Sequence, residues 1–296
     1  MKLEHIAKRF RIEKPNKFSL SGHDPAECCG LTLDKSEAKT MLSEGIERLS
    51  ILQERLYANG RWSVLIVLQA MDAAGKDGVI KHVMSGINPQ GCEVHSFKQP
   101  SAEELQHDFL WRVAQRLPTN GRIGIFNRSH YEEVLTVRVH RELLERQKLP
   151  KQLVAKDIWQ QRFHDIRGFE RHLAQNGTLI LKFFLNLSKD EQTRRLLDRI
   201  EEPAKRWKFS MGDVAERKLW GKYMAAYDDL IRQTSRPEAP WFVVPADNKW
   251  FTRLVVAAAM VDALDRLDFA FPKVEGRALK ELHKVRKGLK AEHGSR

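Results

Sequence analysis

The most constraining feature of the sequence is a short apolar and β-branched run, Trp62–Gln69, that no charged residue interrupts. Its length favours a strand over a helix. The continuous apolar stretch, without alternation of polar and apolar residues, predicts burial on both faces. Strands of this kind are typical of parallel sheets, whose two faces are covered by helices. The chain is therefore expected to fold around a parallel sheet.

The rest of the chain alternates between predicted strands and predicted helices. Further strands are predicted at Glu93–Phe97, Arg122–Phe126, Thr178–Leu185 and Trp241–Val244. Helices are predicted over Lys35–Tyr57, from Lys76 onward, and over Ala102–Arg116, Tyr131–Glu145, Gln152–Gln175 and Trp250–Leu267. This order indicates right-handed βαβ units in a doubly wound sheet that binds ligands at the carboxyl ends of its strands.

Composition narrows the class of protein. The 296 residues are 42% hydrophobic, which is enough for a real core and excludes a disordered chain. The cysteines, Cys28, Cys29 and Cys92, fit neither a disulfide framework nor a zinc site. No apolar run reaches membrane length and the first ten residues lack a signal-peptide pattern, so we expect a cytoplasmic protein. The formal charge of +12 favours an anionic partner: nucleic acid, an anionic membrane or phosphorylated compounds.

The segment after the first strand has the spacing of a phosphate-binding loop. Residues 70–78 match G-x-x-x-x-G-K-[ST], except that Ala70 replaces the first glycine and Asp77 replaces the hydroxyl residue. The N–H groups of the loop backbone and of the start of the next helix can bind a phosphate. The positive charge of Lys76 would strengthen this binding. Asp72 can supply the oxygen ligand that a divalent cation needs. An ordinary βα turn with a surface lysine remains an alternative at this point.

A second polar loop follows the third predicted strand. In the segment Phe126–Glu132, Asn127 stands at the strand end, where an ordinary nucleotide-hydrolysing enzyme would carry aspartate. Arg128 can bind phosphate oxygens with two hydrogen bonds, and Glu132 offers a carboxylate further on. The alternative is a plain helix start capped by Asn127 or Ser129.

A dense basic segment, Asp190–Lys222, follows the fourth predicted strand. Its basic residues are Arg194, Arg195, Arg199, Lys205, Arg206, Lys208, Arg217, Lys218 and Lys222. Aromatic residues are interleaved with them, and Pro203 and Gly212 bracket a connection. This composition predicts a lid that closes on phosphates and excludes water. A pair of solvated charged helices, or a surface for single-stranded nucleic acid, would have a similar composition.

Longer strings of residues carry a family resemblance. They are Val67–Gly78, Lys81–Met84, Asn88–Gly91, His107–Arg112, Phe126–Glu132, Leu181–Phe184, Ser188–Gln192, Pro203–Ser210 and Trp241–Trp250. In these strings the chain resembles polyphosphate kinase family 2, the P-loop kinases that move phosphate between inorganic polyphosphate and nucleotides. The resemblance runs from about Phe18 to Leu267. It implies an α/β fold, a three-layer α/β/α P-loop kinase sandwich with a parallel sheet and a helical lid.

The resemblance also implies roles for individual residues. The catalytic positions are Asp72, Lys76, Asn127, Arg128 and Glu132, with Asp72 also the metal ligand. The phosphate- or polyphosphate-binding positions are Ala73, Ala74, Gly75, Asp77, Gly78, Lys81, Arg195, Arg199 and Lys208. Members restricted to nucleoside diphosphates tend to carry Asp and Asn in place of Asn127 and Glu132. The pair in this chain is similar to the branch that uses nucleoside monophosphates, including members that also accept diphosphates.

The expected activity is a reversible, Mg²⁺-dependent transfer of the terminal phosphoryl group of inorganic polyphosphate to AMP, ADP or both, with Mn²⁺ as an alternative ion. Guanine nucleotides stay open as acceptors. Neither nucleic acid nor a membrane is expected as a partner, and the chain is expected to form a homodimer or homotetramer. The alternative function is an ATP-dependent nucleotide kinase on the same fold. The expected domains are an N-terminal arm (1–34), a kinase domain (35–270) with its lid at about 190–222, and a basic C-terminal tail (271–296).

Overall fold

One parallel sheet organises the fold. The computed structural model describes residues 3–31, 35–267 and 269–294, and within them the strands form a single five-stranded sheet. The strands are β1 (Ser63–Gln69), β2 (Cys92–Ser96), β3 (Ile123–Asn127), β4 (Thr178–Asn186) and β5 (Trp241–Pro245). Their order across the sheet is β2-β3-β1-β4-β5, and every pairing is parallel. The predicted strands are confirmed, with ends that differ by at most one residue.

The helices surround this sheet. In the described part of the chain they are α1 (Leu3–Phe10), α2 (Lys35–Asn59), α3 (Lys76–Val83), α4 (Trp111–Ala114), α5 (Thr136–Val139), α6 (Ile158–Gln175), α7 (Lys189–Glu201), α8 (Met211–Arg217), α9 (Trp220–Thr234), α10 (Lys249–Asp265) and α11 (Gly276–Gly294). Short 3-10 helices lie at Pro15–Lys17, Leu20–Gly22, Pro89–Gly91, Glu104–Gln106, His130–Val134, Arg141–Gln147, Lys151–Leu153 and Pro203–Lys208.

Two hydrophobic cores lie on the two faces of the sheet. All seven residues of β1 are buried, as its uninterrupted apolar run predicts. Val64 and Ile66 point into the core with α1, α2, α3 and α10, whereas Leu65 and Val67 point into the core with α6 and α9. Alternate residues of one strand therefore fill both cores. The three-layer α/β/α sandwich that the resemblance implies is confirmed.

Two predicted helices are wrong. Ala102–Arg116 contains only the 3-10 turn Glu104–Gln106 and the four residues of α4. The cause is local, because Oδ1 of Asp108 accepts a hydrogen bond from the backbone N–H of Leu110 and so favours a turn over a continuous helix.

The second wrong helix is Tyr131–Glu145, which divides into two 3-10 helices on either side of α5. His140 leaves helical geometry, with φ −110° and ψ 72°, and its ring pairs instead with Glu216 on α8. The third helical segment is shorter than predicted, since α6 begins at Ile158 rather than at Gln152.

Both the predicted N-terminal arm and the predicted C-terminal tail contain a helix. α1 packs on α10, and its Ile6, Ala7 and Phe10 are almost completely buried. Residues 32–34, at the predicted end of the arm, lie outside the described part of the chain. The tail forms the helix α11, whose described side chains are all exposed.

Candidate active site

The loop after β1 contains two residues with left-handed backbone geometry. Ala73 has φ +64° and Gly75 has φ +105°. Gly75 adopts this geometry at little cost, whereas Ala73 does not. The loop turns directly into α3, so the first N–H groups of that helix, from Lys76 to Gly78, belong to the same surface. A loop–helix junction of this kind is suited to anions.

Lys76 is held inside the loop. Its Nζ donates a hydrogen bond to the backbone carbonyl of Ala70 at 3.2 Å. Burial lowers the pKa of the Lys76 ammonium, and the nearby charge of Arg128 lowers it further, against the opposing carboxylates of Asp72, Glu132 and Asp77. A bound anion would therefore stabilise the ammonium form of this lysine.

The loop after β3 is joined to the first loop by side-chain hydrogen bonds. Asn127 donates through Nδ2 to Oδ1 of Asp77 at 2.8 Å. Arg128 donates through Nη2 to Oδ1 of Asp72 at 2.7 Å. Arg128 also has left-handed φ (+62°), and its backbone N–H donates to the carbonyl of Leu68 at 3.0 Å, which extends the pairing of β3 with β1. The two predicted loops thus meet at the carboxyl edge of the sheet.

Glu132 lies beside Arg128 on the 3-10 turn His130–Val134. Its Oε1 accepts a hydrogen bond from Gln69 Nε2 at 2.9 Å, and its Oε2 accepts one from Thr136 Oγ1 at 2.6 Å. The carboxylate of Glu132 is the main cause of the raised pKa of Arg128. These contacts fix a charged pair next to Asp72.

A cavity of about 580 Å³ opens above both loops. We call it the cationic cavity, since its lining includes the basic residues Lys76, Lys98, Arg128, Arg195, Arg199, Lys205, Lys208 and Lys249. Burial lowers the pKa of Lys249, and the positive charges of Arg195 and Arg194 lower it further. The crowding of positive charge predicts a ligand with several negative charges.

Two further cavities adjoin the first. The mixed cavity, about 400 Å³, is lined by aromatic, basic and acidic side chains that include Phe97, Phe109, Arg112, Arg128, Glu132, Glu133 and Glu142. The lid cavity, about 250 Å³, lies between the two loops and α8 and is lined by residues that include Met71, Asp72, Arg128, Glu132, Asp213 and Glu216. Arg128 lines all three cavities, which makes it the residue at their junction.

Arg195 lines the cationic cavity, and its guanidinium is also bonded to the backbone of the phosphate loop. It is buried on α7, and its Nη1 donates to the carbonyls of Ala73 and Ala74 at 3.1 and 2.8 Å. Its Nη2 donates to the carbonyls of Ala246 and Asp247, and its Nε donates to Glu191. With its nitrogens engaged in this way, Arg195 ties the lid to the phosphate loop.

The other predicted lid cations lie nearer to solvent. Arg199 lines the cationic cavity and donates to Oδ2 of Asp213 on α8 at 2.9 Å. Lys208 also lines this cavity, from the exposed 3-10 turn between α7 and α8. Lys81, in contrast, is exposed on α3 and is not among the residues that line the cationic cavity.

Sequence reasoning missed two residues of the site. Lys98, after β2, lines both the cationic and the mixed cavities. Asp213 lines the lid cavity, where burial and the charge of Asp72 raise its pKa despite its ion pair with Arg199. Lys98 follows a predicted strand at the same sheet edge as Asn127, and that position was an available signal. A single aspartate in a basic segment gives no such signal.

The residues present fit a magnesium ion that is held mainly by substrate. Among the described residues, no cluster of three or more metal-binding side chains is found. Asp72 offers a carboxylate at the edge of the cationic cavity. Mg²⁺ commonly takes one or two protein carboxylates and completes its shell with phosphate oxygens and water.

Comparisons with known proteins identify the family. The family model described as "Polyphosphate kinase 2 (PPK2)" matches residues 32–272. The chain belongs to the polyphosphate kinase 2 family. It is 50% identical over 283 residues to an ADP-polyphosphate phosphotransferase of Rhodopseudomonas palustris, covering 95% of this chain and 98% of that protein. It is 47% identical to an AMP/ADP-polyphosphate phosphotransferase of Meiothermus ruber, covering 90% of this chain and 96% of that protein.

A solved structure of a polyphosphate kinase 2 has the same fold. The crystal structure of polyphosphate kinase 2 from Arthrobacter aurescens matches with a TM-score of 0.86 and 40% identity, over 95% of this chain and 96% of that one. The family resemblance drawn from the motif strings is therefore confirmed. In the described residues, no helix has the length and apolar character needed to cross a membrane.

Proposed function

We propose that this chain transfers the terminal phosphoryl group of inorganic polyphosphate to AMP and ADP. The observation that carries the proposal is the cationic cavity, whose described lining has eight basic side chains and only three carboxylates. The cavity begins at a phosphate loop, as a phosphoryl-transfer site requires. A chain of phosphates suits such a surface better than a single phosphate does. The names of the relatives from R. palustris and M. ruber support the same donor and acceptors.

The cavities suggest how the two substrates are arranged. The polyphosphate chain occupies the cationic cavity, and the nucleoside occupies the mixed cavity, whose aromatic and acidic side chains suit a neutral base and ribose hydroxyls. Arg128 and Lys98 line both cavities, so the phosphates of donor and acceptor meet beside them. Lys76, in the phosphate loop at the base of the cationic cavity, is the further cation that we place at the transferred group.

Phosphoryl transfer at this site needs positioning more than a strong base. An oxygen of the acceptor phosphate attacks the terminal phosphorus of the donor while the bridging P–O bond breaks. The shortened chain leaves with that electron pair. The terminal phosphate group of AMP or ADP has a second pKa near 6, so this group is already largely a dianion at pH 7. Lys76 and Arg128 stabilise the negative charge that spreads over the transferred group.

Asp72 is the proposed protein ligand for Mg²⁺, with Mn²⁺ as an alternative. When bound, the ion neutralises charge on the phosphates of both substrates. The bond from Arg128 to Asp72 holds this carboxylate at the loop junction and orients it. Because donor and product both contain phosphoanhydrides of similar energy, we propose that the reaction is reversible. We further propose a cytoplasmic homodimer or homotetramer.

The decisive experiment supplies polyphosphate as the sole phosphoryl donor. Protein and Mg²⁺ are incubated with AMP or ADP, and the formation of ADP and ATP is measured. Lys76→Ala is expected to lower turnover by about 10³-fold, since a cation at the transferred group contributes on this order. Lys39→Ala, which removes an exposed lysine of α2, is the matched control and should keep full turnover.

The outcomes separate the candidate functions. ATP formation from polyphosphate and ADP supports the proposal. Activity with ATP as donor but none with polyphosphate would instead indicate an ATP-dependent nucleotide kinase. A Lys76→Ala protein that keeps most of its turnover would contradict the assignment of the phosphate loop.

A further inference from the structure

A buried charged cluster lies between the sheet and the layer of α6 and α9. Lys182, on β4, is completely buried, and Glu170 on α6 is 2% exposed. Lys182 Nζ donates to Glu170 Oε2 at 2.6 Å, to the hydroxyl of Tyr131 at 2.9 Å and to the carbonyl of Thr234 at 2.8 Å. The cluster thus joins β4, α6, α9 and the 3-10 turn that follows β3.

Stability alone is a poor explanation for this cluster. Nζ of Lys182 lies 5.3 Å from the ring centres of both Tyr131 and Trp241, which belong to the hydrophobic core that the sheet forms with α6 and α9. Removing two charges from water costs about as much as, or more than, their attraction returns, and apolar pairs of similar volume often replace buried ion pairs without loss of stability. What the cluster supplies is fixed geometry at Tyr131.

Tyr131 connects the cluster to the active site. Its hydroxyl donates to Glu170 Oε1 at 2.8 Å while it accepts from Lys182, and its ring is fully buried. Its backbone N–H donates to Ser129 Oγ at 3.2 Å. Arg128 lies three residues before it, in strained left-handed geometry, and Glu132 follows it directly. A strained residue of this kind keeps its geometry only when its surroundings fix it.

We infer that Lys182, Glu170 and Tyr131 are positioning residues that hold Arg128 at the junction of the three cavities and Glu132 beside it. The inference rests on the proposed function and adds residues that touch neither substrate. If it is right, removing the hydrogen bonds of the Tyr131 hydroxyl will displace Arg128 and so slow phosphoryl transfer.

Tyr131→Phe is the gentlest test, because it removes one hydroxyl and keeps the ring. Since small misplacements of a catalytic group are costly, kcat is expected to fall about tenfold or more with both AMP and ADP, with KM for polyphosphate changed about twofold or less. In an Arg128→Lys background, Tyr131→Phe should lower kcat by a much smaller factor, because the effects of two substitutions that act through the same group are not additive. If Tyr131 had a purely structural role, Tyr131→Phe would lower kcat by the same factor in the wild-type and the Arg128→Lys backgrounds.

A matched control lies at the start of β4, the strand that carries Lys182. Thr178, on β4, shares a buried hydrogen bond of 3.0 Å with Ser63 on β1, at the amino ends of both strands. Thr178→Val also removes one buried hydroxyl, and it should leave kcat unchanged. The double variant Lys182→Met/Glu170→Gln removes the ion pair without leaving a lone buried charge, and it should show the same loss of kcat as Tyr131→Phe.

The wild-type protein is assayed first, so that failure of the proposed function shows itself separately. If wild-type protein transfers phosphate from polyphosphate and both Tyr131→Phe and the double variant keep wild-type kcat, the positioning role is refuted. Equal losses of kcat in Thr178→Val and Tyr131→Phe would also refute it, because the effect would then follow from lost stability alone.

Discussion

Ala73 and Arg128 have left-handed backbone geometry although neither is glycine, and both lie in the loops of the active site. Such residues cost on the order of 1–3 kcal/mol each, and nearby contacts must hold them. The carbonyl of Ala73 accepts from Arg195, and the N–H of Arg128 donates to Leu68. In the described part of the chain, two of the four non-glycine residues with this geometry therefore lie where the phosphates are expected to bind.

Glu132 can be tested by exchange with the residue found in the diphosphate-restricted branch. In Glu132→Asn, the side chain is shorter and neutral, so it no longer balances the charge of Arg128 or reaches both Gln69 and Thr136. Because AMP has one phosphate fewer with which to contact the site, kcat/KM for AMP is expected to fall about tenfold more than for ADP, which is ~1.4 kcal/mol.

Steady-state kinetics with each acceptor and a fixed polyphosphate donor measure this ratio. The control is Glu145→Asn, which changes an exposed glutamate near the same region and should leave the ratio unaltered. Equal losses with AMP and ADP would contradict a role of Glu132 in acceptor choice.

Single residues of the site were predictable only where a motif placed them. Lys76 and Asp72 belong to a known spacing, and Asn127 and Arg128 follow a recognisable strand. Arg195 shows the limit of this reasoning. Its charge predicts a phosphate contact, which stays a prediction, but nothing in the local sequence predicts its hydrogen bonds to backbone carbonyls. Which partner a buried arginine finds depends on the fold, which local sequence does not specify.

At the scale of elements, α7 is attached to the phosphate loop through Arg195. Arg195→Ala leaves the carbonyls of Ala74 and Ala246 without these donors, and it leaves Glu191 with Arg194 as its remaining ion-pair partner. We expect the free energy of unfolding to fall by about 2–4 kcal/mol, since buried groups left unpaired are costly. Arg199→Ala, by contrast, removes a more exposed cation of the same helix and should reduce turnover with little loss of stability.

Urea denaturation and turnover, measured side by side for the two variants, test this contrast. Similar stability for Arg195→Ala and wild type would show that Arg195 does not support the loop.

A pH-sensitive contact joins His140, which directly follows α5, to α8. Glu216 Oε2 lies 2.9 Å from His140 Nε2 and also accepts from the hydroxyl of Tyr223. The hydrogen bond to Glu216 is the main cause of the raised pKa of His140, and burial opposes it. The folded state therefore binds this proton more tightly than the unfolded state, and the stabilisation is complete below the ordinary histidine pKa of about 6.5 and is lost as pH rises through the folded-state pKa.

The expected result is a difference in thermal unfolding midpoint between wild type and His140→Gln that is largest near pH 6 and shrinks as the medium becomes alkaline. His172→Gln, at an exposed position on α6, is the control and should give no such trend. A midpoint difference that stays constant from acid to alkaline pH would exclude the ion pair as its source.

Long buried elements were predictable, and short interrupted ones were not. β1 has an uninterrupted apolar run, β4 has a long apolar run that only Lys182 interrupts, and neither strand lies at an edge of the sheet. Ala102–Arg116 has apolar residues at helical spacing as well, but the Asp108 turn and tertiary contacts overcome that weak preference. The pattern of apolar residues in the sequence thus predicts the layers of the fold. It does not predict the conformation of the short segments that line the mixed cavity, which only the structure shows.

At the scale of the whole molecule, the two terminal helices differ in how much they contribute to the fold. α1 buries Ile6 and Phe10 in the core that the sheet forms with α2, α3 and α10, whereas α11 exposes Leu282, Val285 and Leu289. Removing residues 273–296 is therefore expected to shift the unfolding midpoint by about 1–2 °C or less. Removing residues 1–10 should lower it by about 5 °C or more, because several buried apolar side chains are lost.

Differential scanning calorimetry of the two truncated proteins measures both shifts. A large decrease on removal of the C-terminal residues would show that α11 is packed against the protein in solution.

The segment that follows α1 also borders the sheet. Arg11 forms an antiparallel bridge with Phe242 of β5, and the N–H of Ile12 donates to the carbonyl of Trp241 at 2.9 Å. Exposed strand margins are templates on which foreign chains can assemble. Arg11 and Ile12, which directly follow the buried helix α1, therefore cover part of the edge of β5 and prevent a strand of another chain from pairing there. A proteolytic cut that released these residues would expose that edge to aggregation.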